Sequence, residues 1–330
     1  MINDRLRDIY QSNFEKAVSG VFGKVEYGDK YFEIATQAQI NAERFAAYKA
    51  YQVTEQLKAL DTKSDKFDEQ AKGVINTFNR YQTTEYNTMM SRSRTARQWQ
   101  QFQENKELYP NIMWLPSRSA HQREEHQAYY YHIWTKDDPF WDENQPGNEY
   151  NCKCDWTETD KEPTDNEDIE PVTPSPGLNG NPGDEGELIT DDHPYIDDAP
   201  DQLEDTVSNM LRNDYRNEAY SLVGKEVSNE IDGDKINIEI TKSGIKHMAG
   251  DFDENRNFKN ALLPIIDDII KSAKYVASAE NYNFVDQMTK QYHYFEFNVL
   301  GRKGYINVAE DVNGKYRFHA YRDRLAKKRK

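Results

Sequence analysis

The first proline of this chain is Pro110, so everything before it is free to run as long helices. Glycine in that stretch is confined to Gly20, Gly23, Gly28 and Gly73. Ile34, Ile40, Phe45, Tyr48, Val53 and Leu57 recur at helical intervals among Ala, Gln and Glu. Ser64 or Asp65 can cap a second long helix that carries Phe67, Val74, Phe78, Tyr81, Trp99 and Phe102. Residues 1–108 therefore read as helical, either as an ordinary bundle or as an arm that finishes its burial against a partner.

After Pro110 proline becomes punctuation. Pro110, Pro116, Pro139 and Pro146 divide residues 111–157 into an irregular module with short strand candidates at 112–114 and 152–156. Four of the five tryptophans lie here, with His121, His126, His132 and both cysteines, Cys152 and Cys154. Such a concentration suits a small module that must hold one shape without a large core. Residues 158–200 then hold seven of the 12 prolines, and residues 157–205 carry 17 Asp/Glu against the single Lys161. That segment accounts for the whole formal net charge of −16. Its composition predicts a disordered or semi-extended acidic linker.

Residues 201–330 recover a folded pattern. A helix is expected over 203–220, a strand over 236–240 and a helix over 258–271 with Pro264 in its first turns. Strands follow at 275–278, 292–300, 304–308 and 316–321, with hairpin turns at Gly301-Arg302-Lys303-Gly304 and Asn313-Gly314. The fold class is α+β and multi-modular: a helical region with a Cys-x-Cys module (1–157), a linker (158–200) and an α+β domain ending in an antiparallel meander (201–330). A mean hydropathy of −1.02 favours small modules over one large globule. No run of 18 apolar residues and no signal-peptide pattern occurs, so neither a membrane span nor a leader is expected. The acidic segment upstream of the basic end, Arg322 to Lys330, reads either as simple solvation or as a mask for a polyanion-binding surface in the same chain.

Three motif sets could carry chemistry. Cys152 and Cys154 with His126 and His121 could form a tetrahedral site, for which zinc is the fitting ion. The one-residue spacing is not that of common zinc fingers, and two half-buried thiols packed beside Trp114 and Trp156 would explain it equally; a catalytic thiol is the third option. Asp137-Asp138-Pro139 reads as a capping turn before a cation site. The third set is Lys242, Lys246, His247, His293, Tyr305, His319, Tyr321 and Arg322.

The order Trp114-Leu115-Pro116-Ser117-Arg118, Arg123-Glu124-Glu125-His126, Asp137-Asp138-Pro139-Phe140-Trp141, Gln145-Pro146-Gly147 and Cys152-Lys153-Cys154 resembles the phage Mu F-like head morphogenesis proteins. That family usually has Cys-Arg-Cys, and Lys153 is a mild departure. The resemblance covers roughly residues 80–157. It implies a minor capsid protein of a tailed phage, with capsid or portal proteins as partners, located in the virion and in the host cytoplasm during assembly and after delivery. The later segment Ile238 to His247, with the meander ending Tyr316-Arg317-Phe318-His319-Ala320, resembles the barnase/EndoU/colicin/RelE-like ribonucleases. This second resemblance is the weaker, because such families vary in their catalytic residues. It implies an effector acting on host tRNA or other cellular RNA, and a cognate immunity protein.

The residues suit that chemistry. Cleavage through the 2′-hydroxyl needs a base, an acid and positive charge at the phosphorane. His247 and His319 would be the acid/base pair, Arg322 and Lys242 would hold phosphate, and Tyr305 would orient it, with no catalytic cofactor. Two-residue spacing places His319, Tyr321 and Arg317 on one strand face. The competing interpretation is an α+β adaptor whose polar residues only face solvent, in a wholly structural head protein. An ADP-ribosyltransferase would need an Arg…Ser-Thr-Ser…Glu-x-Glu order that the chain lacks.

Overall fold

A computed structural model describes residues 2–250, 255–281 and 286–325, so the basic residues 326–330 lie outside the described part. The chain forms two compact units, Met1–Val207 and Ser208–Lys330. Among the described residues, no helix is long and apolar enough to cross a membrane.

The first unit begins with α1 (Asp4–Phe22), α2 (Phe32–Lys58) and α3 (Phe67–Glu104), which pack on one another. The Asn3 side chain caps α1 by accepting from the Leu6 N–H at 3.1 Å. Phe14, Ala38, Ala42, Phe45, Ala46, Val53, Phe78 and Met89 fill the seam. One ion pair is buried there: Lys49 donates to Glu85 and to the Phe78 carbonyl. Burial works against both charges, pushing Lys49 down and Glu85 up, and the charge and hydrogen bond of the partner oppose that in each case.

Next come β1 (Asn111–Leu115), α4 (Glu124–Gln127), β2 (Ile133–Thr135), α5 (Phe140–Glu143) and β3 (Asp155–Thr159). The strands form an antiparallel sheet in the order β2-β1-β3, with Trp114 opposite Trp156 and Ile112 opposite Trp134. Trp134 stacks on Phe140 at 4.1 Å between centroids, and Trp156 lies 5.9 Å from Trp99 of α3. All five tryptophans thus share one core. Asp138 accepts from the Phe140 N–H at 2.9 Å in the turn that leads into α5, as a turn-forming Asp would.

The expected linker is the main correction. Residues 158–200 fall inside the first unit, where Leu178, Leu188, Ile189 and Ile196 are buried. Two short turns, α6 (Pro182–Glu185) and α7 (Pro194–Asp197), pack on the long helices. The strap has little backbone pairing of its own, and helix side chains supply the partners instead. Asn41 accepts from the Leu188 and Ile189 N–H groups at 3.1 and 2.9 Å and donates to the Ile189 carbonyl at 2.9 Å. The fully buried Arg92 donates to the Leu178, Asn179, Gly180 and Glu187 carbonyls. Gly183 lies so close to Trp99 that a β-carbon there would collide with it. Average composition concealed four apolar anchors and two polar clamps far upstream.

The second unit opens with α8 (Gln202–Ala219), whose first residues belong to the first unit, then β4 (Glu226–Ile231), β5 (Asp234–Glu239), α9 (Lys242–Gly250), α10 (Arg256–Ala261), α11 (Ile266–Ser272), β6 (Lys274–Glu280), β7 (Thr289–Val299), β8 (Arg302–Asp311) and β9 (Tyr316–Arg322). Six strands form one sheet in the order β4-β5-β9-β8-β7-β6, antiparallel except for β5 beside β9. The α+β class holds. Three details differ from the sequence-based expectation. Pro264 splits the expected helix into α10, a 3-10 turn and α11, because an interior proline removes a donor and clashes with the preceding turn. The β7–β8 turn is closed by the Val299–Arg302 pair, with Leu300 and Gly301 both at positive φ, two residues before the expected turn. Gly304 is a strand residue, where a β-carbon would come 2.9 Å from the Phe297 and Tyr321 rings.

Removing the Asn41 clamp leaves two N–H groups and a carbonyl buried without partners. Asn41→Ala should cost about 2–3 kcal/mol in chemical denaturation. It should also open residues 178–197 to limited proteolysis, while the wild type resists cleavage there. Rapid cleavage of the wild-type strap would contradict the packing described.

Candidate functional site

Two clusters bring chemical groups together. In the first, α4 presents His126 and the turn into β3 presents the cysteines, with Asn151 at φ +58° just before them. His126 Nδ1 lies 3.8 Å from Cys152 Sγ and 3.5 Å from Cys154 Sγ, and the three ligand atoms lie within 4.8 Å of one another. A hydrogen bond from the Cys154 thiol holds Cys152 well below its ordinary range, against burial and with help from His126. Cys154 is pushed up by that same bond and by burial. Tetrahedral zinc with bonds of about 2.3 Å to sulfur and 2.0 Å to nitrogen separates its S and N ligands by about 3.6 Å. The two observed S···N distances match, so Cys152, Cys154 and His126 fit a zinc ion. Zinc would supply a cross-link between α4 and β3 inside a module of short elements. His121 is exposed and outside this cluster, so the fourth expected ligand does not join it.

The second cluster lies on the six-stranded sheet. The β8–β9 register runs Tyr305–Arg322, Ile306–Tyr321 and Asn307–Ala320, then jumps to Val308–Phe318. His319 is therefore the extra residue of a β-bulge. The bulge reverses the alternation along β9. Phe318 and Tyr321 share the buried face with Ile306 and Val308, while His319 and Arg322 share the opposite face with Tyr305 and Asn307. Tyr321 packs on Phe297 at 6.0 Å, so the expected shared face of His319 and Tyr321 does not form.

His247, from α9, meets His319 with ring centroids 4.9 Å apart. Tyr292 lies 5.2 Å from His319. Burial raises the Tyr292 and Tyr294 hydroxyls, and Arg322 is close enough to offset part of that. Four of the five expected residues, His247, His319, Tyr305 and Arg322, thus lie together or on one face. The fifth does not join them: the Lys242 ammonium sits over the Tyr220 ring at 5.0 Å. Tyr292, Tyr294 and Asn307 were not anticipated. The aromatic density of residues 292–297 was the available signal for the tyrosines; Asn307 had none.

His293, also named from sequence, belongs to the other face. Ser278 Oγ meets its Nδ1 at 2.7 Å, and Glu310 meets its Nε2 at 3.0 Å. Burial would raise Glu310, but hydrogen bonds from Gln291, Lys290 and His293 outweigh it and hold the carboxyl down to about 2.

Comparison with known proteins follows this division. Residues 62–157 match the phage Mu protein F like protein family. This segment is Mu F-like, as its motifs suggested, which supports a role in phage head morphogenesis. It contains all of α3, the five tryptophans and the Cys/His cluster. Residues 208–319 match large polyvalent protein-associated domain 3, a stretch that includes both His247 and His319. No curated protein and no solved structure matches the chain.

Two expected outcomes follow from these clusters. Protein purified without chelator should carry about one zinc per chain, lost in Cys152→Ser/Cys154→Ser; elemental analysis finding none would leave the thiols as packing groups. Glu310 stabilises the fold while ionised. Its contribution is complete above its unfolded pKa and disappears as pH falls through its folded value. The stability difference between wild type and Glu310→Gln should therefore shrink from about pH 5 toward about pH 2 in urea unfolding. A difference independent of pH would contradict the ionised network.

Proposed function

We propose that this chain is a minor head protein of a tailed phage whose C-terminal unit is a metal-independent ribonuclease carried with the particle. The observation that carries the catalytic part is the contact of His247 with His319, beside Arg322 and Tyr305 on a sheet face that the bulge assembles. One imidazole takes the 2′-hydroxyl proton as the oxygen attacks phosphorus, and the other protonates the departing 5′-oxygen. Arg322 stabilises the charge that develops on the phosphorane, and Tyr305 orients the phosphate. Lys242 is left out of this scheme, because its ammonium is engaged elsewhere.

The Mu F-like match supports the head part. Its partners are capsid or portal proteins, its place is the virion, and it reaches the host cytoplasm in assembly and delivery. Zinc on Cys152, Cys154 and His126 would hold this module together. The RNA would be cellular, and a producing cell would need a cognate immunity protein.

The test is single-turnover cleavage of cellular RNA by the full chain without added divalent metal. The pH–rate profile should be bell-shaped. His247→Ala and His319→Ala should each lose on the order of 10²-fold or more, with unfolding curves close to wild type. Unchanged rates in both variants would remove the assignment. A folded wild type that cleaves no RNA would leave a wholly structural head protein with a C-terminal binding module.

A further inference from the structure

The cluster of Cys152, Cys154 and His126 offers three ligand atoms, and among the described residues no other His, Cys, Asp or Glu brings a fourth to it. Closed structural zinc sites take four protein ligands, whereas a site with three keeps one position for a group from outside. The surroundings of the two sulfurs decide which group that is.

Both thiols line an open cavity of about 360 Å³ in the first unit, which α3 borders with Ser91, Arg94 and Gln98 from one of its faces. His126 is buried and does not line it, so the sulfurs are where an outside group meets the cluster. The one carboxylate of the lining, Asp155, is held by Arg118 at 2.6 Å. Arg94 and Lys153 also border the cavity, both exposed and, among the described residues, without a carboxylate partner. The Arg94 guanidinium meets only the Met90 sulfur, at 3.2 Å. Two thiolates and a neutral imidazole already balance a divalent ion. An anion added there leaves one negative charge in excess, and Arg94 and Lys153 are the groups that can offset it.

We propose that this cavity admits a carboxylate from outside the chain as the fourth ligand of the Cys152, Cys154 and His126 site, with Arg94 and Lys153 compensating its charge. This rests on the zinc reading of the cluster and is independent of the ribonuclease assignment. Zinc takes Asp and Glu oxygens beside Cys and His. A phosphate dianion would instead bring its second charge into a lining that already holds Asp155. The polar α3 wall gives an apolar ligand nothing to pack on.

The experiment loads the full chain with cobalt(II), which takes the place of zinc and whose visible absorption reports its ligands. Acetate and a blocked tripeptide with a central Asp are the probes, titrated against chloride at equal ionic strength. Acetate should shift the visible bands saturably, and chloride should not. A response to the peptide as well makes a protein side chain an admissible donor; a response to acetate alone restricts the source to small carboxylates. Arg94→Gln and Lys153→Gln should load cobalt as wild type does, and each should weaken acetate binding about tenfold. Cobalt bound through sulfur with bands that neither carboxylate moves overturns the proposal while the metal site stands. A shift equally strong in wild type and both variants also overturns it, since the ligand would then arrive without the cavity's cations. Failure to bind cobalt removes the metal site and this proposal together.

Discussion

One extra residue in the last strand decides which side chains share a face in the C-terminal unit. Without the bulge at His319, strict alternation would put His319 and Arg322 on opposite faces of β9. One of them would then enter the apolar layer formed by Phe295, Ile306, Val308 and Phe318. The bulge instead sends Tyr321 into that layer and keeps both polar groups outside. Bulges recur next to active sites for this purpose. Gly304 completes the exchange, since only a residue without a β-carbon leaves room for Phe297 and Tyr321 together.

The first unit solves a different problem with side chains acting at a distance. Its acidic strap has few apolar residues and almost no regular structure, and its carbonyls and amides would be costly to bury alone. Arg92 and Asn41 remove that cost from the faces of α3 and α2. Burial brings the Arg92 guanidinium down to about 10, and four carbonyl contacts hold it where a carboxylate would usually sit. The strap thereby becomes part of the helical unit, and the long helices gain cover that their own polar sequences do not supply.

This contrast explains what could be read from the chain. The helices before residue 108 were legible because helix formation is local, no proline interrupts it, and the internal Gly20 and Gly73 are isolated enough to be tolerated. The Cys152, Cys154 and His126 cluster and the meander were legible from clustered residue types and turn signals. The strap was not, because its folding depends on Asn41 and Arg92, far from it in sequence. The hairpin strand β4 went unread for want of a strong apolar alternation in Glu226–Ile231. The bulge depends on strand register, a property of pairs of strands rather than of either alone. The rings of His247 and His319 do meet, whereas Tyr321 lies on the opposite sheet face and the Lys242 ammonium over the Tyr220 ring.

The Mu F-like segment and the paired histidines of the sheet underlie the proposal of a head protein that carries its own chemistry. In the proposed reaction a 2′-hydroxyl attacks phosphorus, with two imidazoles moving the protons. Mapping the ends of the RNA fragments produced by the full chain tests it most directly. The account predicts 2′,3′-cyclic phosphates and 5′-hydroxyls, since the attacking oxygen belongs to the RNA. Fragments with 3′-hydroxyls and 5′-phosphates, made by an activated water, would contradict it.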